Sequence, residues 1–329
     1  MFVSVFKKYM PFWVILSVIF GLTFGYFFPG AAGSLKSLVI PLLFILIWLM
    51  IIPTNLSQFA QVIKKPKNLV LGILFISVLA PLIAYPVSHY LLGSNPELGI
   101  GLLLAATVPP GGLIASWTGL LAGDVALAVS LQAITLVLGI VQIPLTLSIL
   151  AGASVTFPTD VMVQTLVLIV ILPMLAGFIS RWGLLRTWGE KRLKSFSPNF
   201  AIISSIIALC VVFISTGLKA NQLIHQPQLI GIGLAAALAY YLLAYFLSSL
   251  LCRLAKINYA QSIPLIYGTG TKNLSIAIAL AIAIFSDSYV VLGVVFCFIV
   301  QMPLASIFYK IIPRLLGKAE LAPKPIGSN

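Results

Sequence analysis

Charge is what this sequence has least of. Only 8% of its 329 residues are Asp, Glu, Lys or Arg, and 61% are hydrophobic. An ordinary soluble domain carries about 25% charged residues. Its surface could not be kept in water with so few, so a water-soluble globule is excluded. Cysteine is also scarce: Cys210, Cys252 and Cys297 form no CxxC pair and sit in or beside apolar runs. They read as small apolar side chains in lipid or packing, with a metal or thiol site as the alternative. The two histidines, His89 and His225, lack the partners of a catalytic pair or a metal set. With no carboxylate and no nucleophile–base pair inside any apolar run, an enzyme is not expected, nor a resident metal or cofactor. No small-residue cleavage pattern follows the first apolar run, which passes Phe28 into Pro29-Gly30 and reads as a retained span.

What is present is a series of apolar runs of membrane-spanning length. The expected fold is an all-α polytopic membrane protein of ten transmembrane helices in a lipid bilayer. The spans run from about Pro11 to Phe28, Leu38 to Ile52, Leu69 to Leu92, Leu98 to Leu121, Val125 to Leu150, Val161 to Ser180, Phe200 to Ser215, Leu229 to Leu251, Ala260 to Ile284 and Tyr289 to Ile312. Polar connections are expected at Ala151 to Asp160 and Arg181 to Lys194, with a disordered tail from Lys318 to Asn329. With both termini cytoplasmic, sixteen Lys and Arg face inward and only Lys36 and Lys219 face outward. That split follows the positive-inside bias. It places the chain as a multi-pass protein of the inner (plasma) membrane and explains the net charge of +13 without nucleic acid.

The chain repeats itself. Val141-Gln142-Ile143-Pro144-Leu145 recurs as Val300-Gln301-Met302-Pro303-Leu304. The fourth span is interrupted by Pro109-Pro110-Gly111-Gly112, the ninth by Tyr267-Gly268-Thr269-Gly270-Thr271-Lys272-Asn273. Each interruption is followed by a turn with an acid, Asp124 or Asp287, which helix capping explains. Residues 1–157 and 158–329 thus divide into two five-helix halves. An odd number of spans per half makes the second an inverted repeat of the first. Inverted repeats with discontinuous helices 4 and 9 point to an alternating-access secondary transporter whose site lies where the breaks meet.

The breaks supply the candidate site. In the fourth span Pro110, Gly111 and Gly112 let backbone approach closely, and Ser116 and Thr118 offer hydroxyls. The second half-helix starts with free N–H groups that favour an anionic group. In the ninth, Gly268 and Gly270 open the backbone, and Thr269, Thr271 and Asn273 are polar partners. Lys272 is the charged residue placed deep in a span, where an unpaired ammonium must find partners or deprotonate. Three roles are open to it: it binds an anionic substrate directly, it occupies the place of a metal ion as a tethered charge that titrates with transport, or it is structural, held by carbonyls at the break or snorkelling to the interface. Gln132, Gln142 and Gln301 line the pathway or act as interhelical glue. Glu97, Asp160 and Glu190 read as solvated.

Pro110-Gly111-Gly112, the run Gly123-Asp124-Val125-Ala126-Leu127-Ala128-Val129-Ser130, and Gly270-Thr271-Lys272-Asn273 leading into Leu274-Ser275-Ile276-Ala277-Ile278-Ala279 resemble the bile acid:sodium symporter superfamily. Trp117-Thr118 echoes its arsenite-efflux (arsenical-resistance) permease branch. The resemblance implies a panel domain from helices 1, 2, 6 and 7 and a core domain from helices 3, 4, 5, 8, 9 and 10. It also implies an organic anion bound between them, usually sodium-coupled, and a family that is usually monomeric; the sequence gives no sign of oligomeric state of its own. The departures are specific. Where sodium-coupled members carry a glutamate and a glutamine around the ninth-span crossing, this chain has Gly268 and Lys272. Fourth-span ligands fall near Ala115 and Ser116, and fifth-span ligands at Ala128 and Gln132. The arsenite branch's cysteine would fall near Pro110. Most oxygen ligands are gone, and a fixed cation stands where one ion would sit. The expectation is a transporter of a small organic anion, sodium-independent or coupled to H+ through Lys272. The alternatives are a Na+-coupled organic-anion symporter rebuilt from carbonyls and hydroxyls, and an arsenite/metalloid efflux permease.

Overall fold

The computed structural model describes residues 9–53, 66–151, 159–285 and 289–317, and all regular structure within them is helical. Apart from short helical pieces at Pro29–Ser34, Leu35–Leu38 and Ala220–His225, the helices are α1 (Met10–Phe27), α2 (Val39–Ile51), α3 (Pro66–Leu74), α4 (Ala80–Leu91), α5 (Pro96–Thr107), α6 (Leu113–Leu120) and α7 (Val125–Ala151). They continue as α8 (Thr159–Leu166), α9 (Leu172–Leu218), α10 (Pro227–Leu254), α11 (Tyr259–Gly270), α12 (Leu274–Ile284) and α13 (Val290–Leu315). Single π turns, Phe75–Leu79 and Val167–Ile171, join α3 to α4 and α8 to α9. Asp287 and the tail beyond Gly317 lie outside the described residues, as does most of the 151–160 connection.

Among the described residues six helical stretches are long and apolar enough to cross a membrane: Pro29–Ile51, Pro66–Leu91, Val125–Ala151, Val163–Leu218, Pro227–Leu254 and Val290–Leu315. The ten expected spans are not ten uninterrupted helices, for a physical reason. Prolines, glycines and paired backbone divide the fourth and ninth into α5/α6 and α11/α12, each piece too short to cross alone. The basic connection expected at 181–194 is instead helical, so that α9 runs continuously except at Gly189, where φ is +75° and ψ is 163°. A positive φ is a conformation glycine adopts without steric cost.

α9 packs along α1 and α2, while α13 packs against α5 and α10, and α10 against α11. Small residues set the closest approaches, as expected where lipid offers no hydrophobic drive between helices. A Cβ placed on Gly25 of α1 would lie 2.0 Å from the Gly217 carbonyl oxygen of α9, and one on Gly101 of α5 would lie 2.8 Å from Gly293 Cα of α13. The end caps follow sequence chemistry. The Asp124 carboxylate accepts from Leu127 N at 2.9 Å and caps α7, as expected, and Asn258 accepts from Ala260 N at 2.9 Å to start α11. Glu97 is not simply solvated: it is half-buried and its Oε2 accepts from Tyr289 N at 2.7 Å, capping α13 from the start of α5.

Candidate functional site

The site is built where two interruptions meet. α5 ends at Thr107 because Val108 turns to φ −58°, ψ 151°, and two prolines follow that cannot donate to a helical ladder. α11 ends at Gly270, and Thr271 is extended at φ −120°, ψ 91°. The two extended pieces pair. Pro110 and Lys272 form an antiparallel bridge, in which Asn273 N donates to Pro109 O at 2.8 Å and Gly111 N donates to Thr271 O at 3.4 Å. Backbone leaves the helix here because each break takes up groups the other releases.

Two glutamines complete that exchange. Gln301 on α13 donates from Nε2 to Lys272 O at 3.1 Å, and its Oε1 accepts from Lys272 N at 2.8 Å and from the Tyr241 hydroxyl at 3.0 Å. Gln142 on α7 donates from Nε2 to Thr107 O at 3.3 Å, at the end of α5, and to Ser77 O at 3.2 Å. These are the glutamines of the repeated five-residue motif. Each satisfies backbone at the break of the discontinuous helix that precedes it, which is the glue role of the two read from sequence.

Lys272 is 2% exposed, and its Nζ donates to the Ile76 carbonyl at 2.9 Å. Pro81 accounts for that acceptor. In the π turn, Ala80 N bonds to Phe75 O, five residues back. The next bond in that register would run from residue 81 to Ile76 O, and proline has no N–H. The orphaned Ile76 carbonyl is the one Lys272 takes, and it is the hydrogen-bond partner the ammonium has among the described residues. The flanking carbonyls are used too: Phe75 O accepts from Thr269 Oγ1 at 3.4 Å, and Ser77 O from Gln142. Lys272 also follows the C-terminus of α11 by two residues, where the helix dipole favours a cation.

The two breaks differ in packing. Every residue from Ser262 to Leu280 is buried. A Cβ on Gly270 would lie 2.5 Å from Tyr245 Cζ, and one on Gly268 2.8 Å from Ile76 Cδ1, so both glycines are required by space. Gly111 meets the ninth-helix backbone through the bridge to Thr271, but neither Gly111 nor Gly112 is crowded. A Cβ on Gly111 would sit 3.6 Å from Asn273 Cα, an ordinary contact, and the nearest atom to one on Gly112 is Gln132 Nε2 at 4.0 Å. The fourth-helix break opens outward instead: Gly112, Ser116 and Gly119 are exposed along one face of α6, with half-buried Gln132 of α7 beside Gly112.

The structure therefore brings Pro110, Gly111, Thr271, Lys272 and Asn273 together at the bridge, and sets Gly112, Ser116 and Gln132 on the open face next to it. Thr269 and Thr271 turn inward, their hydroxyls donating to Leu265 O at 2.8 Å and to Tyr267 O. Thr118 lies away from the open face, buried with its Oγ1 unpartnered, its Cγ2 within 2.8 Å of where a Gly123 Cβ would be. Ser130 Oγ and Asn273 Nδ2 are likewise buried without partners among the described residues. Trp117 stacks on Tyr267 with ring centroids 5.6 Å apart and an interplanar angle of 10°, and the Tyr267 hydroxyl donates to Ala305 O at 3.1 Å. Sequence reasoning missed Tyr241 and the Ile76 carbonyl. Pro81 was the signal for the second, but a proline alone does not say that the register is π. Among the described residues no group of three or more His, Cys, Asp or Glu is placed to hold a metal ion.

Residues 40–226, which span the α5/α6 break, match the Sodium Bile acid symporter family. The chain belongs to that family. It is similar to the "Arsenical-resistance protein Acr3" of Corynebacterium glutamicum, at 26% identity over 86% of this chain and 82% of that one. It is similar to the "Uncharacterized sodium-dependent transporter YocS" of Bacillus subtilis, at 22% identity over 86% and 84%. It is also similar to the "Probable sodium/metabolite cotransporter BASS1, chloroplastic" of Arabidopsis thaliana, at 27% identity over 82% and 65%. As a member of the superfamily that joins the bile acid symporters and the Acr3 proteins, it is a multi-pass secondary transporter of a small solute, not an enzyme.

Proposed function

We propose that this transporter moves a small organic anion by alternating access, without sodium, and that the Lys272 ammonium stands where a coupling cation would sit. The observation that carries the reading is the bond from Lys272 Nζ to the Ile76 carbonyl, beside a bridge that joins both broken helices. A coupling sodium ion would be held by oxygen atoms, and here a tethered cation already occupies such an oxygen. A second cation beside it is disfavoured by like charge. Loss of the Lys272 proton would weaken its hold on Ile76 and loosen the joint between the crossing and the α3–α4 helix, which gives transport a way to couple to protons. The anion would meet the open face of α6, where the helix N-terminus, Gly112 and Ser116 are accessible.

The architecture we propose has ten crossings. Val163–Leu218 would count as two, divided at Gly189, and α1, α5/α6 and α11/α12 would each add one. Residues 1–157 and 158–329 would be the inverted halves. α1, α2, α8 and α9 would form the panel, and the remaining helices the core. Both termini would be cytoplasmic, in the plasma membrane.

A sodium-coupled symporter is the second reading. It draws on the unpartnered buried hydroxyls of Thr118 and Ser130, which are oxygen atoms without an assigned task. Arsenite efflux is third: the crossing itself, at residues 108–112 and 271–273, contains no cysteine. Uptake of small carboxylates into proteoliposomes under a pH gradient or a sodium gradient separates the first two, and arsenite accumulation in sensitive cells expressing the protein tests the third.

A further inference from the structure

Away from the crossing, a cavity of about 460 Å³ lies between the end of α2 and the Gly189 bend of α9, lined by Trp48, Ile52, Ser180, Leu184, Trp188 and Phe200 among others. Its floor is a small separate core of Leu49, Ile52, Leu193 and Phe200. The wall is fixed across helices by Trp48 Nε1, which donates to Ser180 Oγ at 2.9 Å. Among the described residues one side is open: a Cβ on Gly183 would meet none of them within 4 Å.

Arg181, Arg186, Lys191, Arg192 and Lys194 fall within one short stretch, with Glu190 the acid among them. Two of them contact residues that line the groove. Arg181 Nη1 donates to the carbonyl of Ile52 at 3.0 Å, and the Arg192 guanidinium sits 5.2 Å from the Trp188 ring centroid. The Arg186 guanidinium stacks 3.7 Å from the Trp182 ring centroid. Arg186, Lys191, Arg192 and Lys194 are exposed. A basic end alone would follow from the charge bias of any membrane protein. An apolar groove bordered by two guanidinium groups, one bonded to the Ile52 carbonyl and one beside the Trp188 ring, is more specific. Its two parts match the two parts of one ligand, an acyl chain and a negative headgroup.

We propose that this groove is a binding site for one anionic phospholipid, with its acyl chain against Trp48, Leu184, Trp188 and Phe200 and its phosphate against Lys191 and Arg192. A lipid held there would pin the α2–α9 pair to one leaflet while the crossing helices move.

The test uses the full chain in phosphatidylcholine nanodiscs doped at low mole fraction with acyl-brominated phosphatidylglycerol or acyl-brominated phosphatidylcholine, read by tryptophan quenching. Trp48 and Trp188 report the groove, and Trp48→Phe with Trp188→Phe should remove most of the difference. Brominated phosphatidylglycerol should quench several-fold more than brominated phosphatidylcholine at equal fraction. The excess should disappear in Lys191→Gln/Arg192→Gln and in Gly183→Phe, but persist in Arg253→Gln/Lys256→Gln. Native mass spectrometry of the same monodisperse samples should count one retained phosphatidylglycerol, lost in the Lys191/Arg192 variant. Equal quenching by the two lipids, displacement by inorganic phosphate, or loss of the excess in the Arg253/Lys256 variant to the same extent overturns the proposal.

Discussion

The break between α5 and α6 and the break between α11 and α12 occupy matching places in the chain but are built oppositely. The second is sealed: its glycines are pressed against Tyr245 and Ile76, its threonine hydroxyls are spent on backbone, and its lysine is bonded to a neighbouring helix. The first is open, its glycines uncrowded and its following half-helix exposed at Gly112, Ser116 and Gly119. The two breaks differ in packing, which their polar content does not announce. The polar-rich break is the packed frame of the crossing, and the polar-poor one leaves the exposed face that the proposed function assigns to the solute.

Adding a methyl group should break this contrast most visibly. Gly270→Ala puts a Cβ 2.5 Å from a fully buried tyrosine ring, an overpacking that costs about 1–3 kcal/mol. Gly111→Ala, in ordinary contact, should stay within about 0.5 kcal/mol. Thermal unfolding of the detergent-purified variants compares them, and equal losses would remove the distinction between sealed and open.

The framing glutamines come next. Gln301→Leu strands the N–H and C=O of Lys272 together with the Tyr241 hydroxyl, at about 1–3 kcal/mol. Gln142→Leu strands two carbonyls and no donor, and should cost about 1 kcal/mol or less, since interhelical hydrogen bonds in membranes average near 0.6. The same unfolding measurement ranks them, and the reverse order would mean that the frame sits at the other break.

The smallest effect on stability, with a marked effect on transport, is expected on the open face. Ser116→Phe should unfold within about 0.5 kcal/mol of the parent, while uptake into proteoliposomes falls about tenfold or more, equivalent to about 1.4 kcal/mol of lost solute stabilisation. Unchanged uptake would show that solute does not pass this face.

Sequence chemistry made both breaks and their pairing readable, because prolines and glycines inside apolar runs have few other uses and because Gln142 and Gln301 repeat in register. The tightness of each break was not readable. Whether a glycine is crowded depends on which residue faces it across the interface, Tyr245 for Gly270 and only Gln132 for Gly112. The partner of Lys272 was hidden for a similar reason. Pro81 announces a freed carbonyl, but the π register decides that Ile76 bears it, and only the folded crossing brings it within 2.9 Å of the ammonium. Glu97 reads as solvated because its partner, Tyr289 N, is 192 residues away.

The central claim, that Lys272 takes the place of a coupling cation, is tested most directly by carboxylate uptake into proteoliposomes under one imposed gradient at a time. An inward proton gradient should drive accumulation in the parent protein without sodium, and a sodium gradient at equal pH should not. Lys272→Ala should abolish the proton-driven accumulation while leaving solute counterflow measurable. Accumulation driven by sodium alone, and unchanged in Lys272→Ala, would contradict the account.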